Sequence, residues 1–332
     1  MDSKKSYSEY LKEKFPPKEG FVKRMEMLLG KDETKTFFEI SYTSTPNSIR
    51  CNTLKISPAE LKERLLNYSW EVKVPYEEYP EIMVINGTKA GELGNSREHL
   101  LGYYYVQEIS SMLPMLVLKP TSEDIILDLC ASPGSKTTQA AAMMKNSGTI
   151  LANEVSMSRV GILNANLERC GVSNVIVTRK EGVAFCERMQ KKSKLRFDKI
   201  LVDAPCSGEG TLRKSPKTFL MWNENMIKKI AGVQRRLSEA AIKLLKVGGE
   251  MVYSTCTLAP EEDEMIVQNL LDKFDVEIQD IKLPLKFREG ITKWEEKTFS
   301  PELKKCLRLY PQDNNTDGFF VAKIKKLSEK EK

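Results

Sequence analysis

The chain has 332 residues, 41% hydrophobic and 30% charged, with a formal charge of +6, the balance of an ordinary soluble globular protein. Its length suggests one large domain with a smaller appendage, and no apolar run approaches the roughly 20 residues that span a bilayer. A single histidine, His99, excludes any mechanism that needs two, and the seven cysteines (51, 130, 170, 186, 206, 256, 306) include no pair three residues apart, so no zinc knuckle is present and no metal is expected. The N-terminal stretch lacks the apolar core of a secretory signal, so a cytoplasmic protein is expected. His99 reads as a surface or packing residue.

Along the chain, helices are predicted over about 6–15 and 20–29, followed by mixed structure. Residues 48–56 look like a strand. Ser57 then caps a helix with Pro58 at its first position. Residues 70–87 follow as short extended pieces closed by Asn86-Gly87. Residues 1–105 therefore read as a small α+β domain, in which 16 Lys/Arg and 16 Asp/Glu cancel.

From residue 106 to 325 apolar runs alternate with helical stretches. The runs lie at 124–130, 148–155, 174–179, 198–205, 250–256 and 318–326, and several are apolar throughout, as in strands buried on both faces. Helices are expected at 135–145, 156–171 and 231–249. Such alternation predicts a doubly wound, mostly parallel α/β sheet, which binds ligands outside the carboxyl ends of its strands. Residues 326–332 are expected to be a frayed, charged tail.

The first strand runs into a turn and helix at 130–137. A Pro-Gly turn lets a ligand approach the backbone, and the helix start offers free N–H groups. Phosphate-loop and dinucleotide glycine patterns are absent. A carboxylate, such as the methionyl end of S-adenosylmethionine, suits the turn. Glu154 closes the second strand and could bind a ribose diol, oriented by Arg159; a capping glutamate with a surface arginine is the plainer alternative. Glu181, after the third strand, could meet an adenine.

Asp203 and Cys206 fall at the end of the fourth strand and Cys256 at the end of the fifth, and these two strands should be neighbours. A lone buried cysteine is usually inert packing; two at adjacent strand ends, in polar loops, suggest chemistry. Carbon 5 of cytosine is a poor nucleophile until a soft thiolate adds at carbon 6. Asp203 is placed to hydrogen-bond the ring, and a second thiol could assist elimination. Which cysteine attacks stays open on this reasoning. The base would have to be unpaired or flipped.

Two basic stretches could track a phosphate backbone: residues 179–199, with eight basic and three acidic side chains, and 213–236, with seven and one. Solvated helix faces are the plainer reading. Trp222 and Phe219 could hold RNA, with a core role for Trp222 as the alternative.

With these residues assembled, the chain resembles the Nop/Sun family of S-adenosylmethionine-dependent RNA cytosine-5 methyltransferases. The resemblance rests on RCNTLK (50–55), YYVQEISSMLP (104–114), DLCASPGSKT (128–137), DAPCSGEGTLRKSP (203–216), STCTLAPEEDE (254–264) and the closing segment 308–326, and so covers nearly the whole chain. It implies a class I Rossmann-like catalytic domain after a small RNA-recognition-like N-terminal module that positions RNA. It implies that Cys256 is the covalent nucleophile, that Cys206 serves product release, and that Asp203 and Lys136 contact the cytosine. It also implies a cofactor pocket of Cys130, Ala131, Ser132, Pro133, Gly134, Ser135 and Lys136 with Glu154, Arg159 and Asp203. Glu154 and Glu181 stand where the family commonly has Asp, and Gln312 where His is frequent. The compact chain resembles the tRNA-modifying members, and a monomer is expected. A ribosomal RNA substrate, a catalytically silent RNA-binding assembly factor and a DNA methyltransferase are the alternatives.

Overall fold

The computed structural model describes residues 6–332; the first five residues of the domain placed at 1–105 lie outside that range. Helices α1 (Tyr7–Lys14), α2 (Glu19–Leu29) and α3 (Lys31–Ser41) come first. α1 starts with a capping box in which Ser6 and Glu9 bond each other's backbone. α3 falls in the stretch read as mixed structure. Its buried face is only Thr34, Phe37 and Ser41, too polar to show as an apolar period.

Strand β1 (Asn47–Cys51), helix α4 (Pro58–Leu66, capped by Ser57), β2 (Glu71–Lys73), β3 (Ile82–Asn86), the short helices α5 (Glu92–Asn95) and α6 (Arg97–Leu100), and β4 (Tyr104–Val106) follow. The strands form an antiparallel sheet in the order β2-β3-β1-β4. Its core is built on Ile49, Leu61, Leu65, Met83 and Ile85. The strand expected over 48–56 stops at Cys51, because Asn52 turns the chain: its carbonyl accepts from the Lys55 and Ile56 N–H groups. α1–α3 do not join this core. Phe21, Phe37 and Tyr42 pack with Phe219, Trp222 and Leu258 of the second half, so residues 6–42 are bound to the larger body rather than to the small sheet.

The larger body starts with α7 (Ile109–Leu118), then β5 (Ile125–Asp128), α8 (Ser135–Met143), β6 (Thr149–Asn153), α9 (Met157–Cys170), β7 (Val175–Thr178), α10 (Gly182–Lys192) and β8 (Phe197–Asp203). It continues with α11 (Thr218–Met221), α12 (Glu224–Ile242), β9 (Leu245–Thr255), α13 (Glu264–Lys273), β10 (Phe274–Gln279), β11 (Arg288–Glu289), β12 (Lys293–Trp294), β13 (Lys297–Thr298), β14 (Leu307–Leu309), α14 (Pro311–Asn314) and β15 (Phe319–Glu331). The main sheet runs β11-β14-β15-β9-β8-β5-β6-β7, with β10 also paired to β15, beyond β14 on the edge away from β9. β7, β6, β5, β8 and β9 are parallel, and β15 is antiparallel to β9. Side chains alternate between the faces: Ile200 and Val202 pack under α10, α12 and α13, whereas Leu201 packs under α7 and α8. This is the doubly wound arrangement. The order reverses at β5, so β5, β6, β8 and β9 open their carboxyl ends onto one crevice.

Two expectations change. Residues 245–249 belong to β9, not to the preceding helix, because Leu245 pairs with Phe197. The tail is not frayed: residues 326–331 are the end of β15, with Lys326 opposite Val276 and Glu331 opposite Phe274. Lys326 lays its stem over the sheet and donates from Nζ to the Leu245 carbonyl at 2.9 Å, so a charged composition hid an ordered strand. No helix among the described residues is long and apolar enough to cross a membrane.

Candidate active site

β5 ends at Asp128, and the chain turns through Cys130, Ala131 and a cis Ser132–Pro133 peptide to Gly134. Gly134 has φ +101, a backbone conformation that favours glycine, and a Cβ there would press on the tip of the Leu163 side chain at 2.9 Å. α8 starts at Ser135, with its first N–H groups beside the turn. The turn is tied to β6 and α9. The Ala131 N–H donates to the Asn153 carbonyl at 2.9 Å, Ser132 Oγ to the Arg159 carbonyl at 3.0 Å, and Arg159 Nη2 to the Ser132 carbonyl at 2.6 Å.

Glu154 follows β6 and is 3% exposed. It accepts from the Ser156 N–H at 2.9 Å and faces Arg159 Nε at 3.7 Å. Asn153 joins three strand ends: its Nδ2 donates to the carbonyls of Leu129 and Lys180, and its Oδ1 accepts from Thr178. Glu181 is exposed and caps α10, accepting from the Ala184 N–H at 2.8 Å. One oxygen of Glu181 is thus committed to the helix, a role that sequence reasoning did not foresee.

Asp203, at the end of β8, has both oxygens engaged. Lys136 Nζ lies 2.7 Å from Oδ2, and Ser254 Oγ donates to Oδ1 at 2.8 Å. Lys136 also donates to Ser111 Oγ at 3.0 Å. The cysteines at the ends of β8 and β9 meet, with Cys206 Sγ 3.1 Å from Cys256 Sγ. The contact with Cys256, and then burial, push the Cys206 thiol well above its ordinary pKa, so it stays protonated at neutral pH. The Gly210 N–H holds the Cys256 carbonyl at 2.9 Å.

These groups share a cavity of about 410 Å³, lined by Glu154, Arg159, Glu181, Asp203, Cys206 and Cys256 together with the turn. A second space of about 180 Å³, under Ala131–Lys136, shares Cys130, Ser132 and Asp203 with it. Every site residue expected from the sequence lines one of the two spaces, apart from Gly134, which shapes the turn between them. Sequence reasoning missed Asp128, Ser111 and Ser254. Asp128 ends a strand at the crevice, which was signal enough. It is buried, its Oδ1 has no partner, and burial lifts its pKa to about 7.

Other expectations separate. Phe219 and Trp222 are core residues at 0% and 5% exposure, with Trp222 Nε1 bonded to Glu209 at 2.6 Å, so they are not surfaces for RNA. Arg213 is buried and spends its guanidinium on Thr43, Ser44, Asn315 and Thr316. Lys228, Lys229, Arg235 and Arg236 of α12 are exposed. His99 packs against Tyr104, with ring centres 5.5 Å apart.

The residues fit S-adenosylmethionine. Two adjoining spaces, the larger of the size usual for small-ligand pockets, present an acidic side chain for a ribose, free N–H groups at a helix start and the orphaned Asp128 oxygen. Residues 115–325 match the family described as 16S rRNA methyltransferase RsmB/F, and residues 17–109 the N-terminal domain of 16S rRNA methyltransferase RsmF. The chain belongs to the RsmB/F family. This RsmB/F methyltransferase uses S-adenosylmethionine. It is 40% identical over 318 residues to the tRNA (cytosine(49)-C(5))-methyltransferase of Pyrococcus abyssi, covering 93% of this chain and 98% of that one. It is 40% identical over 315 residues to the ribosomal RNA small subunit methyltransferase F of Vibrio cholerae, of which it spans 64%. A methyltransferase homolog from Pyrococcus horikoshii superposes with a TM-score of 0.82 at 35% identity, covering 97% of this chain and 100% of that one. NSun6 from the same organism, solved with SFG, agrees in fold, with a TM-score of 0.78 at 24% identity over 94% of this chain and 98% of that one.

Proposed function

We propose that this RsmB/F methyltransferase methylates carbon 5 of a cytosine in tRNA through a covalent adduct on Cys256, resolved with Cys206. The observation that carries the reading is the 3.1 Å contact of the two thiols on the cavity that the cofactor turn also lines. When bound, S-adenosylmethionine supplies an electrophilic methyl group. The Cys256 thiolate adds to carbon 6 and makes carbon 5 nucleophilic. Asp203 accepts a hydrogen bond from the exocyclic amine, Lys136 and Ser254 fix its two oxygens, and the Lys136 ammonium offsets the charge that builds on the ring. After methyl transfer, solvent water takes the carbon 5 proton, which restores the carbon 5–carbon 6 double bond and expels the Cys256 sulfur as a thiolate. Cys206, kept protonated by its surroundings, donates its S–H toward that sulfur. The cytosine must leave its stack to reach the thiol.

The choice of tRNA is supported by the 40% identity over 318 residues to the Pyrococcus abyssi tRNA (cytosine(49)-C(5))-methyltransferase. The ribosomal reading is favoured by the family descriptions. Methyl-labelling of tRNA, 16S rRNA and DNA separates them: label in tRNA is expected, and label confined to rRNA or DNA overturns the choice. Cys206→Ala is expected to trap a covalent protein–RNA adduct, and Cys256→Ala to give neither adduct nor product. An adduct with the second variant would exchange the two roles.

A further inference from the structure

Two fully buried polar side chains outside the cavity straddle Cys206. Gln234 of α12 and Glu262 beyond β9 are both 0% exposed. Gln234 Nε2 donates to the carbonyl of Pro205, the residue before Cys206, at 2.9 Å. Glu262 Oε2 accepts from the N–H of Ser207, the residue after it, at 2.9 Å. The two side chains bond each other at 2.9 Å through the same Glu262 oxygen. Glu262 also closes the loop that begins at Cys256, and its own carbonyl takes the Tyr253 hydroxyl at 2.5 Å. Across the gap, the Ser207 and Thr257 hydroxyls meet at 2.7 Å. The loops bearing the two thiols are therefore joined by the Glu262 oxygen as well as by the Ser207–Thr257 hydroxyls and the Gly210–Cys256 backbone bond, with α12 as a further anchor.

We propose that Gln234 and Glu262 are positioning residues that hold the Cys206 thiol against Cys256 for release of the methylated product. This rests on the reading of Cys256 as nucleophile and Cys206 as release group. Neither side chain lines the cavity, so neither touches substrate or cofactor. The pair makes poor sense as a stabilising device. Gln234 points both amide hydrogens at acceptors and leaves its Oε1 buried without a partner, and burial works against the charge on Glu262. A well-packed apolar pair would hold the fold at less cost, which leaves fixing the geometry of the loops around Cys206 as the role this pair fills. The two cysteines are not equally dependent on it. Cys256 directly follows a paired strand whose last residue, Thr255, is also bonded to Asp263 at 2.6 Å. Cys206 lies three residues beyond the last β8–β9 pair, in a loop held on both sides by the clasp. Loosening the clasp displaces Cys206 first, leaves attack by Cys256 intact and stalls elimination.

The test measures adduct in Gln234→Met and Glu262→Gln with the full-length protein and its RNA substrate. Expected are adduct formation within about threefold of the unmodified protein, turnover lowered tenfold or more, and adduct accumulating on denaturing gels. In a Cys206→Ala background the same substitutions should add nothing, because residues acting through one group are not additive. Melting curves and calorimetric titration with S-adenosylmethionine report folding. Folded, cofactor-binding variants that accumulate no adduct, or that add further loss to Cys206→Ala, overturn the proposal. So does failure of both variants to fold, since the clasp would then serve the fold. If Cys206→Ala alone traps no adduct, the underlying reading fails instead.

Discussion

Arg50 of the small sheet donates from Nη1 to the carbonyl of Ser135, the first residue of α8, at 2.7 Å. Its Nη2 reaches Thr138 Oγ1 at 2.8 Å, and its guanidinium lies over the Tyr105 ring at 5.5 Å. The Tyr105 hydroxyl donates to the Pro133 carbonyl at 3.4 Å. Asn52 and Lys55 continue the junction onto the end of α9, at the carbonyls of Cys170 and Arg169. The N-terminal module is thus bonded to the cofactor turn itself.

Replacing Arg50 by methionine keeps most of its volume and removes these donors. Burial lowers the guanidinium pKa to about 10, so the group is still charged at neutral pH and its bonds are the stronger, charge-assisted kind, each worth about 1.5–3 kcal/mol. Part of that energy holds the turn. Arg50→Met is expected to weaken S-adenosylmethionine binding about five- to tenfold in calorimetric titration, which corresponds to roughly 1–1.4 kcal/mol. Unchanged affinity in a folded variant would confine Arg50 to domain docking.

The basic stretch over 213–236 divides by burial. Arg213 is internal and Lys214 pairs with Asp317 at 2.8 Å, whereas Lys228, Lys229, Arg235 and Arg236 are exposed on α12. Converting these four to glutamine should weaken tRNA binding at low salt and flatten the dependence of log affinity on log salt by about 3, at roughly 0.7–0.9 per phosphate neutralised. An unchanged slope would place the RNA elsewhere. Trp222→Ala should act differently, destabilising the fold by about 3–5 kcal/mol as a buried aromatic, with loss of RNA binding only where the protein melts.

These contrasts mark what the sequence could carry. Strand ends were legible because apolar runs stop abruptly at Cys130, Glu154, Asp203 and Cys256, and the doubly wound rule then places those ends on one crevice. The order of attack between Cys206 and Cys256 was not legible, since each lies in a polar loop at a strand end. Phe219 was misjudged for RNA, and the core alternative for Trp222 is the one the fold adopts, because their partners Phe21 and Tyr42 come from the N-terminal segment some 180–200 residues earlier. The tail was misjudged because charge was read without the strand β10 that supplies its hydrogen bonds. Gln234 and Glu262 gave no local signal. An amide on an amphipathic helix and one acid among four near the start of α13 become a pair only when the sheet brings α12 beside the Cys256 loop.

Asp128 makes folding stability depend on pH. Burial raises its pKa from 3.8 to about 7. A carboxyl that holds its proton more tightly when folded favours the native state at low pH and loses that contribution as pH rises from about 4 to about 7, beyond which the cost is constant. The swing is at most about 4 kcal/mol. His99 works the opposite way. Burial lowers its pKa from 6.5 to about 4, so it destabilises the fold as pH falls through that interval. A comparison of variants isolates the carboxyl. Asp128→Asn can still accept from Thr137, which Asp128 does at 2.7 Å, but it cannot ionise. Denaturant unfolding without cofactor at pH 5, 6, 7 and 8 should show the stability of Asp128→Asn, relative to the unmodified protein, improving with pH up to about 7 and level thereafter. Parallel curves for the two proteins would mean that Asp128 ionises in the folded state as freely as in the unfolded chain.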